Sequence, residues 1–267
     1  MKIQLDGIAE TLLITVRTRA EETLHSLSAL QDPYAVNIMS QIQLDESDKK
    51  TVSKASRVGV IARTIILDDI TSNFLKKNPD GVVVALGCGL DARYERLNIP
   101  ETEWYDIDVE EAINVRKKFF HEKNKYRMIA KSMFDYSWMN DVPKDKAVLV
   151  LSEGVMMYFK EEELQLLFQK IYDVFSHVEM AFDTIPSFLA KRSNLHPDVK
   201  KYNATFGWGL DSVEDLKKWD SRIAILDEKF YADYLKNRWS LLMKMMMLVP
   251  KFRKANRIVH IGVNDDL

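Results

Sequence analysis

The sequence predicts an α/β fold, a doubly wound sheet of seven strands with helices on both faces, preceded by a helical segment. Three observations predict it. From Val82 onward, short β-rich runs alternate with helical patterns, the order that lays parallel strands beneath crossover helices. The 267 residues suffice for one large domain whose core needs no cross-link. Finally, the wholly apolar run Val82–Leu86 leads straight into Gly87-Cys88-Gly89, the kind of turn that opens ligand sites at the carboxyl ends of such strands.

Leu5, Ile8, Leu12, Val16, Ala20, Leu24 and Leu27 recur every three or four residues and predict a helix over the first 30 residues, broken by Asp32-Pro33. A second helix is predicted over about 54 to 77, with Val58, Ile61, Ala62, Ile65, Ile70 and Phe74 on one broad side. The turn cluster Asn78-Pro79-Asp80-Gly81 closes it. Strands follow at 82–86, 103–107, 126–130, 147–151 and 178–183. Before the last of these lies an amphipathic helix carrying Leu164, Leu167, Phe168, Ile171, Val174 and Phe175. Two more strands, 223–230 and 257–263, flank a helical stretch predicted from about Ala232 to Leu248. Its methionines Met243, Met245, Met246 and Met247 read mainly as the buried face of a helix, with an apolar pocket wall as the other reading. Pro186, Pro197, Gly207 and Gly209 interrupt the alternation and mark an insertion; its Phe188, Tyr202, Phe206 and Trp208 make it the candidate lid. The chain is therefore expected to be a single domain over 1–267: a helical extension (1–78), a ligand-binding core (79–185), an insertion or lid (186–222), and closing strands with a helix (223–267).

Hydrophobic residues make up 46% and charged residues 29%, a globular composition. With 38 basic and 40 acidic side chains the net charge is −2, so no cationic excess is available for a phosphate backbone and nucleic acid is not an expected partner. The lone Cys88 allows neither an internal disulfide nor a cysteine-rich zinc site and suits a reducing compartment. His25, His121, His177, His196 and His260 lack metal-ligand spacing, and no metal is expected. Charges interrupt the apolar positions of the first 30 residues, unlike the core of a signal peptide. The run from Leu241 to Val249 contains Lys244, ends at Pro250 and falls short of the roughly 20 residues that cross a bilayer. A cytoplasmic protein without a membrane partner is expected.

The glycine turn carries the chemistry. Its missing side chains let the backbone approach a ligand, and about 20 residues on, the second strand ends in Asp106-Ile107-Asp108, where a carboxylate can accept hydrogen bonds from ribose hydroxyls. Two nucleoside cofactors fit. A dinucleotide suits Gly87-x-Gly89-x-x-Ala92, with its pyrophosphate at a helix N-terminus. S-adenosylmethionine, which has no phosphate, suits the same turn better once Asp91 is considered, because an acid there repels a pyrophosphate.

The helical Ile61-Ala62-Arg63-Thr64, the run from Val84 to Arg93, Trp104-Tyr105-Asp106-Ile107-Asp108, and the run from Leu151 to Phe159 together resemble the leucine carboxyl methyltransferase family, which includes tetracenomycin-type polyketide O-methyltransferases. The resemblance covers roughly residues 55 to 185. It implies a class I S-adenosylmethionine-dependent methyltransferase: a Rossmann-like, mostly parallel seven-stranded sheet whose last strand is antiparallel. By the same resemblance Arg63 holds the cofactor's carboxylate, Gly87 and Gly89 lie under its methionine moiety, Asp108 rather than Asp106 takes the ribose, and Glu153 meets the ammonium group. The family's acidic dipeptide on the adenine side falls on Ser132-Met133, a departure from the pattern, with Asp135 nearby. The reaction implied is methyl transfer to an oxygen of a small-molecule or peptide acceptor. A carboxylate is the first choice because it is ionised at neutral pH, and a phenol is the second. A nicotinamide-dependent oxidoreductase and a non-catalytic cofactor-binding protein are the alternatives.

Overall fold

A computed structural model describes residues 8–42, 53–191 and 205–263, with side chains of the first helix described from Leu13 onward. Helices α1 (Ile8–Thr23), α2 (Pro33–Gln41) and α3 (Lys54–Lys77) precede β1 (Val82–Leu86). Then come α4 (Arg93–Arg96), β2 (Glu103–Asp108), α5 (Glu110–Arg116), β3 (Tyr126–Ala130), β4 (Val148–Ser152), α6 (Glu161–Val174), β5 (Val178–Thr184) and α7 (Ser187–Ala190). The chain closes with β6 (Ile223–Phe230), α8 (Leu241–Met246), α9 (Pro250–Arg253) and β7 (Arg257–Val263). The strands form one sheet in the order β3-β2-β1-β4-β5-β7-β6, in which β7 runs antiparallel to both its neighbours.

Alternation along the central strands divides the core in two. Val83 and Ala85 of β1, with Leu149 and Leu151 of β4, pack against the buried side chains of α1–α3. Val82, Val84 and Leu86, with Val148 and Val150, face α6 and the tryptophans Trp208 and Trp219. All five residues of β1 are buried, as a strand covered on both faces requires. At the edge, β6 is largely accessible and breaks register between Ile225 and Asp227, a bulge that blunts an otherwise free edge.

The structure departs from the sequence reading at three places. The first helix ends at Thr23, and Leu24 and Leu27 stand exposed beyond it. Asp32-Pro33 lies beyond that end and does not break the helix but starts α2: Asp32 accepts the Ala35 N–H at 2.9 Å as N-cap, and Pro33 fills the first helical position, where no N–H is needed. The expected helix from Ala232 to Leu248 is a turn at Tyr231–Asp233 followed by the six-residue α8, in which no residue is buried. Its methionines are therefore not core. The strand boundaries agree to within one residue, and Tyr202 lies outside the described residues.

Candidate active site

The turn after β1 is held from below. Gly87 and Gly89 adopt φ values of +67° and +49°, and a Cβ on Gly87 would lie 2.5 Å from Val155 Cγ2. Glycine is thus required there by backbone conformation and by space. Gly87 N–H donates to Ile107 O at 2.8 Å, while Arg116 Nη1 donates to Gly89 O at 2.9 Å. Asp106 is locked into this support by Trp104 Nε1 at 2.7 Å, Tyr126 Oη at 2.6 Å and Arg116 Nη2 at 2.5 Å. Asp108 stands instead at the end of β2, where its carboxylate accepts the Gly89 and Val109 N–H groups, both at 2.8 Å. Burial pushes the Asp108 carboxyl up, and those two N–H donors act in the opposite sense.

Above the neighbouring strand ends lies a continuous ion network. Arg63, in the middle of α3, donates from Nε to Glu153 at 3.0 Å and from Nη1 to Asp183 at 2.8 Å. The other oxygen of Glu153 accepts from Arg93 Nη2 at 2.6 Å, and Arg93 also meets Asp68 and Asp91, each at 2.7 Å. Arg96 continues to Asp68, Asp91 and Asp32, and Arg19 closes the far end on Asp32 at 3.0 Å. Four guanidiniums face five carboxylates. Burial works against the charges of Arg63 and Glu153, but their partners outweigh it: Arg63 is raised above the ordinary arginine value by Asp183 and Glu153, and Glu153 is lowered by Arg63 and Arg93. Asp183 also accepts the Gly154 N–H at 2.6 Å. Gly154 has φ +73°, and a Cβ there would come within 3.0 Å of Arg63 Nη1, so the loop after β4 can close over the guanidinium only without a side chain.

Arg63, Gly87, Gly89 and Glu153 line one cavity of about 370 Å³. Asp108, Ser132 and Met133 lie outside its lining. The register pairs Asp108 with Ala130, so the loop after β3 starts beside Asp108. Ser132 in that loop is exposed and accepts the Phe134 N–H at 3.2 Å; Met133 is buried in the core, where its carbonyl accepts from Trp138 Nε1 at 3.1 Å. Asp135 is exposed, and its carboxyl is lowered by the Ser137 hydroxyl and N–H. Of the insertion's aromatics, Phe206 lines the cavity against Tyr158, at 5.4 Å between rings, whereas Trp208 belongs to the core.

Sequence reasoning missed Asp183, Arg93, Arg96, Asp68 and Tyr231, and Asp91 as a member of the ion network. The contacts that join the network's segments are remote in the chain, 90 residues for Arg63 to Glu153 and 120 for Arg63 to Asp183. One signal was available: Asp183, like Glu153, falls at the end of a predicted strand, where side chains converge on the carboxyl edge. The cavity's outer wall takes up the second reading of Met243 and Met247, as a pocket wall. It is built of Trp239, Met243, Met247 and Phe252, with Tyr231 at its base, close to Asp183 at 3.4 Å. Burial pushes the Tyr231 and Tyr158 phenols up, and the Cys88 thiol likewise.

The strand order, with its one antiparallel member and a glycine turn after β1, is that of the class I S-adenosylmethionine-dependent methyltransferase fold. A model of the family described as leucine carboxyl methyltransferase matches residues 12–172. The tetracenomycin polyketide synthesis O-methyltransferase TcmP of Streptomyces glaucescens is 30% identical over 265 residues, 96% of this chain and 97% of that protein. The S-adenosyl-L-methionine-dependent methyltransferase dpfgK of Gibberella zeae is 29% identical over 81% of this chain and 80% of its own length. Among solved structures, a duf574 family protein from Streptomyces avermitilis shares the fold at 8% identity, with a TM-score of 0.60 over 93% of this chain and 96% of that one. The chain belongs to the leucine carboxyl methyltransferase family, and S-adenosylmethionine is its cofactor. The nicotinamide reading finds no support in these likenesses.

Proposed function

We propose that this methyltransferase acts on a carboxylate oxygen of an apolar small-molecule or peptide acceptor. The observation that carries the reading is the cavity's lack of a proton acceptor suited to neutral pH. Among the described residues no histidine lines it, its carboxylates Glu153, Asp91 and Asp183 are each tied to a guanidinium, and its phenols and thiol are pushed up. A phenolic acceptor, with a pKa near 10, needs a base; a carboxylate needs none. The apolar wall of Trp239, Met243, Met247 and Phe252 suits a bulky hydrophobic acceptor, and TcmP is by its name an O-methyltransferase of polyketide synthesis.

The residues fit the cofactor. The network carries one negative charge in excess, against a cofactor whose sulfonium and ammonium outnumber its carboxylate. The glycine turn lets backbone come close where a side chain would collide. Arg63 would bind the cofactor's carboxylate, Glu153 its ammonium group, Gly87 and Gly89 its methionine moiety and Asp108 its ribose, with Ser132-Met133 on the adenine side. The cofactor supplies an electrophilic methyl group on sulfur. The chain's part is to align the acceptor oxygen with that group and to exclude water.

Calorimetry with S-adenosylmethionine and its demethylated product, followed by labelled methyl transfer to paired aromatic carboxylic acids and phenols, tests the proposal. A methyl ester releases its label as methanol in alkali, whereas an aryl ether keeps it. Alkali-labile product is expected; alkali-stable product would move the acceptor to a phenol, and binding without transfer would point to a non-catalytic protein.

A further inference from the structure

Residues 234–256 contain six cations, Lys236, Arg238, Lys244, Lys251, Arg253 and Lys254, and no acid, in a chain whose net charge is −2. Within this stretch no residue from Ser240 to Lys254 is buried, although nine of the fifteen are Leu, Met, Val or Phe. Met243 and Met247 turn inward to the cavity. Leu241, Leu242, Met245 and Leu248 turn outward, and Leu248 at 82% and Leu241 at 76% are among the most exposed large apolar residues described. An aliphatic cluster left in water at the rim of a site is the mark of a surface that is covered when the protein works.

The charges indicate what covers it. Arg238 is tied to Glu22, and Arg253 and Lys236 to Asp233. Lys244, Lys251 and Lys254 have no carboxylate within ion-pair distance among the described residues; Lys251 and Lys254 lie over the rings of Phe188 and Phe230. Lysines without a carboxylate partner around protruding aliphatic side chains, with Phe252 beside them, are the composition of an interfacial membrane segment. Protein interfaces are depleted in lysine and draw their binding energy from Trp, Tyr and Arg, so this face suits a lipid surface better than an acidic protein. No described helix is long and apolar enough to cross a membrane, and none is needed for docking.

We propose that the outer face of residues 240–254 docks on an anionic lipid surface, bringing the mouth of the acceptor cavity, walled by the inner face of the same segment, against the membrane. The test is co-sedimentation of the full chain with vesicles of phosphatidylcholine alone and of phosphatidylcholine with phosphatidylglycerol in equal parts. Binding to the anionic vesicles is expected, weakened about tenfold or more by Lys244→Glu, by the pair Leu241→Ser and Leu248→Ser, and by molar salt. Those side chains do not line the cavity, so cofactor binding and melting temperature should be unchanged. No binding to anionic vesicles, equal binding to both kinds, or a concentration-dependent dimer that the paired Leu→Ser substitutions dissociate would each overturn the proposal. The assay uses neither cofactor nor acceptor, so its outcome is independent of the acceptor chemistry proposed above.

Discussion

The two halves of the cavity are built on opposite principles. Its inner half, the glycine turn and the ends of β4 and β5, is fixed: three positive-φ glycines, two of them at close approach, and charges each held by two or more partners. Its outer half, residues 231–256, is soft: short helices without a buried residue and a wall of methionines and aromatics. A ligand of constant structure can be met by a rigid, charge-matched surface, whereas an acceptor that varies among relatives is better met by side chains that repack at little cost. Substitutions in the inner half should therefore damage folding and cofactor binding together, while those in the outer half should change the acceptor alone.

The largest effect is expected from Glu153→Gln. It leaves Arg63 and Arg93 facing each other without the carboxylate between them, and breaking a buried pair in this way costs about 3–5 kcal/mol. The melting temperature should fall by about 10 °C, and calorimetry should find cofactor binding lost. An unchanged melting temperature would show that the network does not hold the inner half. Lys251→Gln, exposed in the outer half and outside the cavity lining, is the contrast, expected within about 0.5 kcal/mol of the parent. Acid should reproduce part of the Glu153 effect. Glu153 and Asp91 are both lowered by their guanidinium partners. Their stabilisation is therefore complete above the ordinary carboxylate range and is lost as pH falls through their depressed folded values, so melting temperature should be flat near neutrality and drop in strong acid. Gly87→Ala comes next: the left-handed backbone costs about 1–3 kcal/mol for a side chain, before the contact with Val155 is counted. Weaker cofactor binding in a protein that still folds is the expected readout. Met247→Ala, half-buried in the wall, should raise the acceptor KM by about fivefold, on the order of 1 kcal/mol, and leave cofactor affinity alone. A change in cofactor affinity there would erase the distinction between the halves.

The same contrast explains what could be read from the sequence. All seven strands were legible because apolar runs with β-branched residues between turn signals have few other uses. The glycine turn and the family followed from motifs contiguous in the chain. The ion network was not legible, since Arg63, Glu153 and Asp183 meet only after α3, β4 and β5 have packed, and no local pattern encodes a contact across 120 residues. Helix α2 was hidden because Asp-Pro, which reads as a helix stop, serves here as the N-cap and first position of a new helix. The outer wall was misread for a different reason: 241–249 is apolar enough for a core helix, but burial depends on whether anything packs over it, and a composition cannot say so.

The smallest effect tests the proposed adenine side, which lies outside the cavity lining. Ser132 occupies the position at which the resemblance expects an acid, in the loop that starts beside Asp108. It is exposed and its hydroxyl accepts the Phe134 N–H, a bond that an aspartate at the same position can also accept through its side chain. Ser132→Asp should therefore leave the loop folded and add one acceptor on the adenine side. With a net hydrogen bond at an accessible site worth about 0.5 kcal/mol, cofactor affinity should rise about twofold. The gain should appear equally for S-adenosylmethionine and its demethylated product, because the adenine is common to both and lies away from the reacting sulfur. A gain confined to the methyl donor would instead mean that the new charge acts on the sulfonium through space. The adenine end would then belong to the same electrostatic unit as the Arg63 cluster.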